Sequence, residues 1–287
     1  MSSRLLKRFL WSLLVLALVS YVGYCGYMWK AQRQLIFKPT AELQTNPGRA
    51  GLKFSVVHIP SGSGSERGEL YGWWIPAEQP AAPALLYLHG NDKNIGYGLD
   101  VENAVRMHSM GYGVLIVDYR GYGQSTGGAP SEAKVYEDAA AAWNYLLRQL
   151  SSPPSRSFIY GHSLGGAIAI ELALHHPEAA GLIAESTFTS MADMGRLRYG
   201  DYLPADWLLN QRFASLDKIG QLKIPLLLIH GTWDKNVPAR MSRELYAAAP
   251  QPKYLLLIAG GEHSNNSSIG WLEYRAAFSA FIRKYAH

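Results

Sequence analysis

Short apolar runs recur along the chain, separated by longer stretches whose apolar positions fall three and four residues apart. The runs at 84–89, 113–118, 157–160, 181–185, 225–230 and 254–258 have almost no polar alternation, as expected of strands buried on both faces. Phe54–Ile59 and Leu70–Ile75 flank the polar Ser61–Gly68 loop and predict an opening antiparallel pair. Helical spacing predicts helices near 99–109, 131–150, 164–176, 240–248 and 270–285, with Pro177 ending the third. Alternation of the two patterns predicts an α/β fold, a mostly parallel eight-stranded sheet with helices on both faces. The segment 188–223 is too long for an ordinary connection. It mixes Met191, Met194, Leu197, Trp207, Leu208 and Leu209 with charges, and predicts a small helical cap able to line an apolar pocket.

The pattern changes at the N-terminus, where Phe9 to Trp29 carries no charge. As a helix this stretch is roughly 30 Å long, the thickness of a bilayer core. Arg4, Lys7 and Arg8 precede it, and Tyr21, Tyr24, Tyr27 and Trp29 gather at its end as interfacial aromatics do. A cleaved signal peptide has a shorter apolar core and a small-residue cleavage site, which Tyr24-Cys25-Gly26-Tyr27 does not offer. Residues 1–30 are therefore expected to form a cytoplasmic tip and a single transmembrane anchor, and 31–287 one further domain. Lys30, Arg33 and Lys38 nearly balance the basic residues on the other side, and the free amine tips the N-terminus toward the cytoplasm. The larger domain is then expected outside the cytoplasm.

Candidate chemistry begins at Gly161-His162-Ser163-Leu164-Gly165. This segment lies where a strand-like run stops and a small-residue helical run begins. A serine on so sharp a turn projects beyond the sheet edge, beside a helix N-terminus, and the flanking glycines let the backbones approach. A nucleophilic serine needs a base, and the base needs an orienting acid. His263 follows the last predicted strand, in Gly260-Gly261-Glu262-His263, and Asp234 follows the strand before it. Both would share the carboxyl edge of the sheet with Ser163. Glu185, at the end of the 181–185 run, is a rival acid at the same edge. The other histidines lack such a setting, and His162 is expected to point away from the serine. An oxyanion hole would draw on the backbone N–H of Leu164 and on that of Asn91, after the 84–89 strand.

With these residues in view, the chain resembles the membrane-anchored Bem46-like group of α/β-hydrolases, which overlaps the serine aminopeptidase S33-type domains. The resemblance rests on Gln34–Phe37, His89-Gly90-Asn91, Val117–Ser125, Gly161–Gly166, Glu185–Phe188, the Asp234 loop and Gly261-Glu262-His263. It implies the α/β-hydrolase fold, with Ser163, Asp234 and His263 as catalytic triad and Asn91 and Leu164 as oxyanion donors. The loop around Asp234 fits the family pattern better than Glu185 does. By the same resemblance Asp118–Ser125 is a structural loop, with Tyr119 or Tyr122 lining the pocket. One departure is Asp92-Lys93-Asn94, where small residues are common, and it is expected to alter the pocket mouth.

Composition narrows the alternatives. The net charge of +5 is scattered except beside the apolar segment, which favours anionic lipid over nucleic acid as a partner. Cys25 is the single cysteine, so no disulfide forms within the chain. Asn265 and Asn266 both begin N-x-Ser matches, but a glycan there would crowd His263. No phosphate-binding glycine loop or metal-ligand spacing occurs, and triad chemistry needs neither cofactor nor metal. The resemblance implies hydrolysis of acyl esters or thioesters, on a small-molecule or lipid substrate. A peptidase of the S33 or prolyl-oligopeptidase type is the alternative, with Glu185 or Asp92 holding a peptide terminus. A noncatalytic membrane-tethered binding domain is a third.

Overall fold

Strands with no polar face must be covered on both sides, and the apolar runs of this chain are covered in that way. The computed structural model describes residues 3–287. Helix α1 (Ser3–Ile36) and the short β1 (Lys38–Pro39) precede the antiparallel pair β2 (Ser55–Ser61) and β3 (Gly68–Ile75). There follow β4 (Ala84–Leu88), the short β5 (Asp92–Lys93), α2 (Gly98–Ser109), β6 (Gly113–Val117) and α3 (Glu132–Arg148). Next come β7 (Ser157–His162), α4 (Leu164–His175) and β8 (Gly181–Glu185). The connection after β8 holds α5 (Met191–Tyr199), α6 (Ala205–Leu208) and α7 (Ser215–Ile219). The chain ends with β9 (Leu226–Gly231), α8 (Arg240–Ala248), β10 (Lys253–Ile258), α9 (Asn266–Ile269) and α10 (Trp271–Tyr285).

Eight strands form one mixed sheet in the order β10-β9-β8-β7-β4-β6-β3-β2, parallel from β10 through β6 and antiparallel at β3 and β2. Successive strand residues serve opposite faces. Leu86, Leu88, Leu115 and Ile159 pack under α3, α4, α7 and α8, whereas Leu85, Tyr87, Ile116 and Phe158 pack under α2 and α10. Helix α4 starts directly from β7 and is buried along most of its length, which its small and branched apolar residues allow.

Helix α1 is apolar enough and long enough to cross a membrane, with mean hydropathy 1.8 over its richest window, a test that a signal sequence also passes. It does not end at Trp29. Met28, Gln32 and Ile36, one helical turn apart, are buried against the rest of the protein. Gln32 Oε1 accepts from the Asn210 and Gln211 N–H groups at 2.8 and 3.2 Å, and Arg33 donates to the Ala129 and Pro130 carbonyls. The last turns of α1 are thus part of the α/β body. Beyond them β1 pairs in parallel with β5, so Asp92-Lys93 is a strand tied to the end of α1.

Candidate active site

The Ser163 backbone has φ +56°, a conformation that costs a non-glycine residue about 1–3 kcal/mol and that persists only where the surroundings fix it. Here the Ser163 N–H donates to the Glu185 carbonyl at 2.9 Å, and the Thr187 hydroxyl donates to the Ser163 carbonyl at 3.0 Å. A Cβ on Gly161 would strike the Gly165 carbonyl, and one on Gly165 would strike the Leu88 carbonyl. The two glycines are required by that contact between β7, α4 and β4.

Loops after β9 and β10 bring the predicted partners to the serine. His263 Nε2 lies 3.0 Å from Ser163 Oγ, and His263 Nδ1 lies 2.7 Å from Asp234 Oδ2. Asp234 Oδ1 accepts from the Asn236 and Val237 N–H groups at 2.9 and 2.8 Å. His230 adds a contact absent from the sequence reading. Its Nε2 donates to the Val237 carbonyl at 2.8 Å and also lies 3.2 Å from Asp234 Oδ2, while Nδ1 accepts from the Ser242 hydroxyl. Burial alone would raise the Asp234 carboxyl. The hydrogen bonds from His230 and His263, the His263 charge and the Val237 N–H outweigh burial and hold it well below the usual carboxylate range.

Glu185 is occupied elsewhere. It is buried and accepts from the Tyr160 and Tyr274 hydroxyls, each at 2.8 Å, and from Asn266 Nδ2 at 3.1 Å. These contacts anchor α9 and α10 beneath the His263 loop.

Gly90 faces Ser163, and a Cβ there would sit 3.6 Å from Ser163 Cβ. Neither the Asn91 nor the Leu164 backbone N–H donates to a protein acceptor among the described residues. The Asn91 side chain has another duty. Its Nδ2 donates to the Ile36 carbonyl at 2.7 Å, and its own carbonyl accepts from Lys38 N–H and the Tyr122 hydroxyl. The end of α1 therefore holds the loop that carries the candidate oxyanion donor.

Two expectations are corrected. Tyr119 and Tyr122 do not line the pocket; both are buried, donating to the His89 and Asn91 carbonyls, because a buried phenol must satisfy its hydroxyl. His89 stacks on Tyr119 at 4.4 Å, and burial pushes its imidazole down to about 3. His162 does not turn away from the site. Its Nε2 donates to the His263 carbonyl at 2.9 Å, and burial and the neighbouring His263 lower its pKa, so it braces the candidate base as a neutral ring. Adjacency to the nucleophile was the only sequence signal for it. As expected, Arg120 is a scaffold residue, its guanidinium buried on Asp138 at 2.6 Å.

A cavity of about 680 Å³ opens over Ser163 and His263, within the roughly 300–1,000 Å³ usual for small-molecule sites. Its walls include Met28, Gln32, Leu35 and Ile36 of α1 and Met191, Met194 and Leu197 of α5. Asp92 and Asp100 also reach it. Burial raises the Asp100 carboxyl to about 7, against the lowering effect of the Tyr87 hydroxyl that donates to it at 2.8 Å. Among the described residues no three His, Cys, Asp or Glu side chains come together as metal ligands.

Known proteins resemble this chain in sequence and in fold. A family described as serine aminopeptidase, S33, matches residues 79–216. Protein bem46 of Schizosaccharomyces pombe is 36% identical over 225 residues, covering 74% of this chain and 73% of its own. The chain belongs to the Bem46-like, S33-type group of the α/β-hydrolase superfamily. The lysophosphatidylserine lipase ABHD12 of Danio rerio is 32% identical over 71% of this chain and 58% of its own. An esterase of Pyrococcus furiosus superposes with a TM-score of 0.73 over 88% of this chain and 99% of its own, at 21% identity. The protein is thus a serine hydrolase built on the α/β-hydrolase fold.

Proposed function

We propose that the protein is a membrane-anchored carboxylic ester hydrolase that works through Ser163, His263 and Asp234. The observation that carries the reading is the unbroken line from Ser163 Oγ to His263 Nε2 at 3.0 Å and from His263 Nδ1 to Asp234 Oδ2 at 2.7 Å. His263 takes the serine proton as Oγ attacks the acyl carbonyl, and ionised Asp234 holds the tautomer that leaves Nε2 free to accept it. The oxyanion develops toward the Leu164 and Asn91 N–H groups, with the N-terminus of α4 adding its dipole. His263 then gives the proton to the departing alcohol or thiol. Water, deprotonated by the same imidazole, releases the acid from the acyl-enzyme.

The mostly apolar cavity walls favour acyl esters or thioesters with a hydrocarbon chain, including lipid esters. Residues 1–30 act as tip and anchor, 31–287 as the hydrolase domain and 188–223 as its cap, with the domain outside the cytoplasm. The S33 family description supports a second reading, a serine peptidase. Glu185 is sequestered by its three donors, so of the two carboxylates expected to hold a peptide amine Asp92 is the one at the cavity.

The test is turnover of p-nitrophenyl esters of increasing chain length, beside aminoacyl p-nitroanilides, by full-length protein in detergent. Ester hydrolysis that vanishes in Ser163→Ala, together with fluorophosphonate labelling at Ser163, is expected. Amide turnover alone shifts the assignment to the peptidase, and activity unchanged in Ser163→Ala removes the mechanism. Release of the protein from membranes by alkaline carbonate would overturn the anchor.

A further inference from the structure

One contact between α1 and the cap lies at a level on the helix that a membrane span places inside the bilayer. From Phe9 to Tyr21 the helix rises about 18 Å, well short of the roughly 30 Å of a hydrocarbon core. A span that begins at Phe9 therefore leaves the core near Trp29, and any tilt carries Tyr21 deeper. Yet the Tyr21 hydroxyl donates to the Tyr202 carbonyl oxygen at 2.7 Å. The segment after α5 thus reaches down α1 by about 12 Å, or eight residues, below the Trp29 level.

The side chains on that segment suit the place. Trp207 is 93% exposed and Tyr202 79%, a large aromatic surface for a protein to leave in water. Indole and phenol rings each combine an apolar body that a bilayer can cover with a polar tip that can hydrogen-bond. The cavity over Ser163 is bounded on one side by Met28 and Leu35 of α1, and on the other by Met194, Leu197, Leu208 and Leu209 of the cap. Much of its apolar wall therefore belongs to α1 and the cap, which meet at Tyr21 and Tyr202.

We propose that the tip of the cap is seated in the bilayer beside α1, below the headgroups, and that a lipid acyl ester enters the cavity from the membrane between α1 and α5–α6. This rests on the reading of α1 as an anchor and of Ser163 as an ester-cleaving nucleophile. The seat orients the cavity toward the lipid, and an acyl chain passes to Ser163 without crossing water.

The experiment uses full-length protein in phosphatidylcholine vesicles. Trp207 emission, taken as the difference between wild type and Trp207→Phe, is expected to be quenched by lipid brominated on its acyl chains. Quenching of that emission by aqueous iodide, with no effect of brominated lipid, overturns the seat. In a second arm, Tyr202→Ser/Trp207→Ser is compared with wild type on a long-chain monoacylglycerol in the vesicles and on soluble p-nitrophenyl butyrate. Neither residue lines the cavity, so the soluble ester should be cleaved at the wild-type rate while vesicle turnover falls roughly tenfold. Equal rates on the vesicle substrate overturn entry from the bilayer. A wild-type protein that cleaves neither ester removes the esterase reading and entry with it, and the quenching arm still decides the seat.

Discussion

Replacing Asp234 by asparagine isolates the role proposed for its carboxylate, and the structure dictates which way the amide must face. Asp234 Oδ1 accepts from two backbone donors, Asn236 N–H at 2.9 Å and Val237 N–H at 2.8 Å. An asparagine must keep its carbonyl oxygen there, since an NH₂ group would oppose both. The amide nitrogen then occupies the place of Oδ2, which lies 2.7 Å from His263 Nδ1 and 3.2 Å from His230 Nε2. His230 cannot accept from it, because its Nε2 proton is committed to the Val237 carbonyl at 2.8 Å. His263 Nδ1 must accept instead, and the imidazole proton moves to Nε2. That nitrogen then presents a proton to Ser163 Oγ and cannot take one. The expected loss is about 10⁴-fold in kcat, or ~5.5 kcal/mol of transition-state stabilisation, with little change in KM. The assay is steady-state hydrolysis of p-nitrophenyl butyrate, paired with thermal melting to show that the near-isosteric variant is folded. A folded Asp234→Asn protein that loses less than about tenfold would refute the assignment of the acid, and a large loss in Glu185→Gln would then shift it to Glu185.

Three further outcomes follow from the geometry. The Asp100 carboxyl, raised to about 7 by burial, keeps its proton in the folded protein over a range where the unfolded chain has released it. The folded state thus binds more protons between about pH 4 and pH 7, and stability falls as pH rises through that window, by on the order of a few kcal/mol. Asp100→Asn should match wild type in melting temperature near pH 4 and exceed it at pH 8; a difference independent of pH would contradict this. Gly165→Ala drives a Cβ into the Leu88 and His89 carbonyls, and should abolish fluorophosphonate labelling or soluble expression. Wild-type labelling would show that the turn has slack. His162→Ala removes the donor to the His263 carbonyl, a bond worth about 1 kcal/mol, and should lower kcat several-fold while leaving KM near wild type. Stopped-flow ester hydrolysis checks the split, and an effect confined to KM would mean that His162 touches substrate instead.

The strand positions were legible because burial on two faces demands unbroken apolar runs, and β4, β6 and β8 are such runs. The turn at Ser163 was legible because only glycine tolerates the approach of β7, α4 and β4 at residues 161 and 165. Chain order placed Ser163, Asp234 and His263 at one sheet edge, since parallel strands end on the same side. What lay beyond the sequence were contacts between segments far apart in the chain. Nothing in Asn91 alone announces that its amide holds the Ile36 carbonyl, 55 residues away. Nor does a lone apolar helix announce that its final turns wall the cavity over Ser163, or that Tyr21 meets Tyr202. Local pattern determines backbone conformation and which side chains must be buried. Which buried surface meets which is decided by strand order and by the packing of helices over the finished sheet. The sequence therefore specified the candidate nucleophile and its partners, and the tertiary structure alone joined the N-terminal helix to their pocket.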